Sequence, residues 1–137
     1  MADDISATMK AAASGMRAQT MRMRIAAENV ANANSTSETP GGDPYRRRMP
    51  MLEESRSRDG VRGVRVTGAM DDPAAFKREY NPTHPAADDT GYVKLPNVDS
   101  LAEMMDLREA TRAYEANLTM IENARAMTTR ALDLLRR

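Results

Sequence analysis

Where proline and glycine fall constrains this chain more than any other feature. All seven Pro and six of the seven Gly lie between residues 35 and 97. Both ends are therefore free of the residues that most strongly break helices. Residues 3–34 contain one Gly, Gly15, and residues 98–137 contain neither type. At 1.5 Å per residue these stretches predict helices of roughly 48 Å and roughly 60 Å. The chain thus divides into an N-terminal helix over 1–34, a middle of loops and short strands over 35–97, and a C-terminal helix over 98–137. Asp4 or Ser6 is placed to cap the first helix. The run Asn32-Ala33-Asn34-Ser35-Thr36 is placed to stop it, because Asn, Ser and Thr compete for backbone hydrogen bonds. For the second helix, Asp99 or Ser100 is a natural N-cap, and Ser100 with Glu103 has the spacing of a capping box.

Each end carries apolar seams at heptad spacing. In the head, one seam runs through Ile5, Met9, Ala12, Met16, Met23, Ala26 and Val30, and a weaker one through Ala7, Ala11, Ser14, Ala18, Met21 and Ile25. In the tail, one seam runs through Met104, Leu107, Tyr114, Leu118, Ile121, Leu132 and Leu135. A second lies one residue earlier, through Ala110, Ala113, Met120, Ala124, Met127, Ala131 and Leu134, with Asn117 its polar member. One neighbouring helix covers one stripe about 100° wide. Two adjacent stripes per helix therefore exceed what two helices can give each other, and the surplus reads as an association surface. The expected fold is mainly α: long N- and C-terminal helices packing as a coiled coil in an assembly, with a small β-rich or extended middle segment.

That middle offers little to cover the surplus seams, since it has few apolar residues. Candidate strands lie at 45–52, 61–67 and 92–95, with alternation visible in Val64-Arg65-Val66. Three short strands make a marginal domain by themselves.

Composition removes several classes of function. Lys plus Arg and Asp plus Glu balance at 20 each, so the chain lacks the positive field that non-specific nucleic-acid binding requires. With no Cys it has no disulfide framework, thiolate metal site or cysteine nucleophile. The single histidine, His84, stands between Thr83 and Pro85 and reads as part of a surface turn; Asp88 and Asp89 are near, but no second His is present to complete a metal site. Gly41-Gly42 is too short to cradle phosphates, and no nucleophile elbow surrounds any Ser. No cofactor, small-molecule substrate or catalytic residue is expected. Asp3 and Asp4 stand where a cleaved secretory signal wants positive charge. There is one Phe and no Trp against twelve Met, a supply of small and soft residues suited to helix-on-helix packing.

The residues bounding the three segments resemble the flagellar axial proteins, the family of rod and hook subunits. In the head these are Ala13-Ser14-Gly15-Met16-Arg17-Ala18-Gln19 and the stretch from Arg24 through Glu28-Asn29-Val30-Ala31-Asn32 to Thr36, followed by Tyr45-Arg46-Arg47. In the tail they are Asn97-Val98-Asp99, Glu103-Met104 and Arg112-Ala113-Tyr114-Glu115-Ala116-Asn117. Asn81-Pro82-Thr83-His84-Pro85 with Gly91-Tyr92-Val93 is similar to a short rod protein of the same family. The resemblance implies a structural rod subunit, exported without a cleaved signal peptide into the periplasmic part of the basal body. It implies an axial drive shaft that transmits torque and encloses the export channel. Its implied partners are other rod proteins and further copies of this chain, with MS-ring and export-gate components nearby. Asn29, Asn32 and Asn117 join the large seam residues as expected assembly contacts. The rival reading is a secreted coiled-coil adapter or effector that binds a partner helix, which the amphipathic ends alone also fit.

Overall fold

The computed structural model describes residues 2–136. Its elements in chain order are helix α1 (Ala2–Ala31), strands β1 (Arg48–Arg56), β2 (Arg62–Asp71), β3 (Lys77–Tyr80) and β4 (Tyr92–Leu95), and helix α2 (Ser100–Leu135). The architecture is mainly α with a small strand-containing middle.

The helix ends follow local chemistry, with two corrections to the caps. Because α1 starts at Ala2, Asp4 and Ser6 lie inside it rather than capping it. Asp3 and Asp4 occupy the first turn instead, where carboxylates complement the helix dipole. The helix stops at the Asn-rich run: Asn32 Nδ2 donates to the Glu28 carbonyl at 2.8 Å, and Ser35 Oγ donates to the Asn32 carbonyl at 2.9 Å. At α2 the N-cap is Asp99, whose carboxylate accepts from the amides of Leu101 and Ala102. Ser100 and Glu103 do not form the capping box, because the Glu103 side chain is turned into the protein.

The helices lie antiparallel. Ile5 and Thr8 of α1 share a groove with Met120, Ala124 and Met127 of α2. Farther along, Thr111 Oγ1 donates to Met23 Sδ at 3.4 Å, and Asn29 meets Glu103. The core between them is built from small residues, with Ala12, Ala26, Ala110 and Ala124 buried. At 30 and 36 residues, α2 outruns α1 by about 9 Å.

Strands β1 and β2 form an antiparallel hairpin from Arg48↔Asp71 to Arg56↔Arg62, with a register shift at Met51/Leu52. The turn closes through the Ser57 amide on the Val61 carbonyl at 2.8 Å, and Gly60 takes φ +79°, which favours glycine. Pro50 is tolerated in β1 because each strand of a two-stranded sheet is an edge. Strands β3 and β4 form a second antiparallel pair, Lys77↔Leu95 to Tyr80↔Tyr92. Around it Ala86, Val93, Pro96 and Val98 make a satellite core.

Here the structure corrects the expectation that the middle leaves the surplus seams open. The β1–β2 hairpin lies along α1 over its second seam. Ser14 Oγ accepts the Val64 amide at 3.2 Å and donates to the Ala11 carbonyl at 2.7 Å. A Cβ on Gly63 would stand 2.5 Å from Ser14 Oγ, so glycine allows this approach. Ser14, Ala18 and Ile25 are buried as a result. The cover joins the Val64 amide of β2 to the Ser14 hydroxyl, with Val66 and Ala69 half-buried beside α1.

Candidate functional site

A polar knot ties the end of α1, the segment before β1, the loop after β2 and the start of α2. At its centre, Asn29 is 0% exposed and Glu103 is 2% exposed. Asn29 Nδ2 donates to the Arg48 carbonyl at 2.9 Å and to Glu103 Oε2 at 3.0 Å. Its Oδ1 accepts from Tyr45 Oη at 2.8 Å and from the Arg48 amide at 3.0 Å. The side-chain amide therefore uses both donor hydrogens and both acceptor lone pairs.

Arg47 closes the knot. Its Nε donates to Glu103 Oε1 at 2.5 Å and its Nη1 to Asp72 Oδ2 at 3.2 Å. Its backbone amide donates to Asn97 Oδ1 at 2.8 Å, and Asn97 Nδ2 in turn donates to the carbonyls of Asp72 and Ala74. Burial alone would lower the Arg47 pKa, but hydrogen bonding and charge from Glu103, then from Asp72, outweigh it and raise it. Asp72 is held below the usual carboxylate range, first by the Ala74 amide and also by Arg47. Among the described residues, no buried side-chain N or O atom lacks a partner.

A second junction lies where Gly15 meets Asn117. A Cβ on Gly15 would stand 2.8 Å from Asn117 Nδ2, so glycine allows the helices to approach there. The sequence signatures of the two ends therefore touch within one chain: Gly15 with Asn117, and Asn29 with Glu103.

The expected assembly residues divide three ways. Ile25 and Asn29 are buried in their own chain, at 4% and 0% exposure. Ile5, Met9, Met16, Met23, Val30 and Asn32, with Leu107, Tyr114, Asn117 and Ile121, are half-buried. Met104, Leu118, Met120, Met127, Leu132, Leu134 and Leu135 are exposed, the last two at 74% and 84%. Neither seam of α2 packs as drawn from the sequence. The stripe facing α1 takes alternate members of both: Leu107, Ala110, Tyr114, Asn117, Ile121 and Ala124. At 100° per residue, Met104 and Leu118 then flank it on one side, and Met120 and Met127 on the other.

Asp72 is the knot residue that sequence reading passed over. Its signal was the Asp72-Pro73 step, a turn former whose carboxylate accepts the Ala74 amide at 2.8 Å. His84 sits in a local turn, where Nδ1 accepts the Ala86 amide at 3.0 Å. Among the described residues, no group of three His, Cys, Asp or Glu side chains is placed to hold a metal ion.

Comparison with known proteins identifies what the knot and the helical hairpin belong to. The family "Flagellar basal body rod FlgEFG protein C-terminal" matches residues 89–134, which span β4 and nearly all of α2. Over almost the whole chain, the sequence is 47% identical to the flagellar basal-body rod protein FlgC of Agrobacterium fabrum, covering 98% of this chain and 97% of that protein. It is 36% identical to FlgC of Borreliella burgdorferi, covering 93% and 95%, and 36% identical to FlgC of Salmonella typhimurium, covering 90% and 92%. The Gly15–Asn117 and Asn29–Glu103 junctions draw on both ends of the chain, and likeness of this extent takes in both ends together. This chain belongs to the FlgC family of flagellar basal-body rod proteins.

Proposed function

We propose that this chain is a structural, non-enzymatic subunit of the flagellar basal-body rod, placed in its proximal part. Full-length similarity to FlgC proteins carries this reading. The exposed apolar flanks of α2 support the way it works. Met104 and Leu118 on one side, and Met120 and Met127 on the other, form coiled-coil contacts with neighbouring rod proteins and further copies of this chain. In the assembled rod the subunit lies in the periplasmic part of the envelope, having been exported without a cleaved signal peptide. It helps to enclose the export channel and transmits torque through packing rather than chemistry. MS-ring and export-gate components are its neighbours at the base.

Deleting the gene and examining both swimming and purified basal bodies tests this directly. The expected result is a non-motile strain whose basal bodies lack the rod, restored by the intact gene. Intact rods in a swimming deletion strain would overturn it.

A further inference from the structure

Along the line of α2 that faces α1, one residue per heptad reads Glu103, Ala110, Asn117, Ala124. Polar and small residues alternate, and each polar member meets a special residue of α1. Glu103 accepts from Asn29 at 3.0 Å, and Asn117 lies over Gly15. Asn29 is fourteen residues beyond Gly15 on α1, and Glu103 is fourteen residues before Asn117 on α2. Both junctions therefore belong to one register of the antiparallel pair, two heptads apart. Between them Arg22, Met23 and Ala26 of α1 meet Asp106, Leu107, Ala110 and Tyr114 of α2, and the buried members, Ala26 and Ala110, are small residues that discriminate weakly between registers. A slip of one heptad, about 10 Å, lays Asn29 against Ala110 and Gly15 against Ala124.

We propose that Asn29–Glu103 and Gly15–Asn117 form a two-point register lock that sets how far α2 projects past the start of α1. A buried polar contact in an apolar helix interface disfavours every register that leaves its members unpaired. The glycine contact disfavours those that put a Cβ under the Asn117 side chain. The lock thereby fixes how much of the exposed stretch bearing Leu132, Leu134 and Leu135 stands clear of α1. This inference concerns the single chain and does not rest on the rod reading.

Moving the lock tests it. The chain has no Cys, so spin labels on Ser6→Cys and Met105→Cys, both exposed sites, report a distance free of background labelling. In the full-length protein a single narrow distance is expected by pulsed electron resonance. Exchanging Glu103 with Ala110 and Asn117 with Ala124 keeps the composition and moves both points one heptad along α2. The label distance should then increase by about 10 Å. Exchanging only Glu103 and Ala110 sets the points against each other, and two distances about 10 Å apart are expected. An unchanged distance in the fully exchanged chain would overturn the proposal. A broad distribution in the parent would do the same, because no register would exist to be locked. Loss of the helical circular-dichroism signal in the exchanged chain would also count against it, since a seam that cannot take another register needs no lock. A single parental distance in the half-exchanged chain would remove Asn29–Glu103 from the device.

Discussion

The two helices begin as the same kind of sequence and end in different surroundings. Helix α1 packs on α2 along one side and under the β1–β2 hairpin along another, so Ala12, Ala18, Ile25 and Ala26 are all buried. Helix α2 packs on α1 along its length, with Arg47 reaching only its first turns; its buried members are Glu103, Ala110 and Ala124, while Leu101, Met105, Met120 and Met127 face outward. Paired heptad seams thus say that a helix has two apolar faces, but not who covers the second. In α1 the covering element lies within the chain. In α2 the second face is open, which is how a subunit that polymerises would present itself.

The comparison breaks most readily on the covered side of α1. Ala18→Asp places a carboxylate against the hairpin at a position 3% exposed, with an expected loss of several kcal/mol in a denaturant-unfolding experiment. A variant as stable as the parent would show the hairpin to be only loosely laid on α1. Next comes the knot. Glu103→Ala removes one carboxylate partner of Arg47, which keeps Asp72, and one of the four hydrogen bonds of Asn29, and about 2 kcal/mol of stability should go with it. Glu103→Gln, which keeps a hydrogen bond to Asn29, should cost less.

On the open side the expectation reverses. Met120→Asp lies at a position 50% exposed on the rim of the groove with Ile5 and should change the stability of the isolated chain by about 1 kcal/mol at most. In cells the same change should abolish swimming, because a subunit contact would bury the carboxylate unpaired. A fully motile strain would place that flank of α2 in solvent.

The smallest effect separates the satellite core from both helices. Asp88 is held at about 2, chiefly by the Thr90 hydroxyl and then by the Tyr92 amide. Its pKa is depressed below the unfolded value near 3.8, so its contribution is fully present above that value and is lost as pH falls toward about 2. Nuclear magnetic resonance shifts in 88–92 should move in this window while those of α1 do not, and Asp88→Asn should flatten the change. Helix shifts that move together with the turn would mean that the β3–β4 region and the helices melt as one unit.

The long elements were legible because Pro is absent from both, the Asn32–Asn34 run ends α1, and Pro96 shortly precedes α2. Strand β4 was also legible, at the bounds its apolar residues suggest. Strand β3 was not, since Lys77-Arg78-Glu79-Tyr80 is charged and shows no apolar alternation; only its pairing with β4 reveals it. The knot was legible in parts. Asn29, Tyr45, Arg47 and Asn97 were each singled out as members of local signatures, yet nothing local says that they converge. Glu103 was misread because its spacing from Ser100 satisfies a local rule while Arg47 and Asn29, distant in sequence, satisfy its carboxylate better. The cover over Ser14 and Ala18 escaped for a related reason. Its closest approach is made by Gly63 and the Val64 amide, which carry no hydropathy signal.

The antiparallel pairing of the two chain ends also bears on how the fold is reached. Asn29 and Glu103 are 74 positions apart, whereas Ser14 and Val64 are 50 apart. Contacts of such sequence separation belong to high contact order, which slows folding because chain entropy is lost before the contact forms. The hairpin can dock on α1 once about half of the chain is available, but α1 receives its main partner only with the last third. A chain cut short before α2 therefore retains β1 and β2 and still leaves the face of α1 that carries Ala12 and Ala26 without its partner, so the hairpin alone does not close the core of α1.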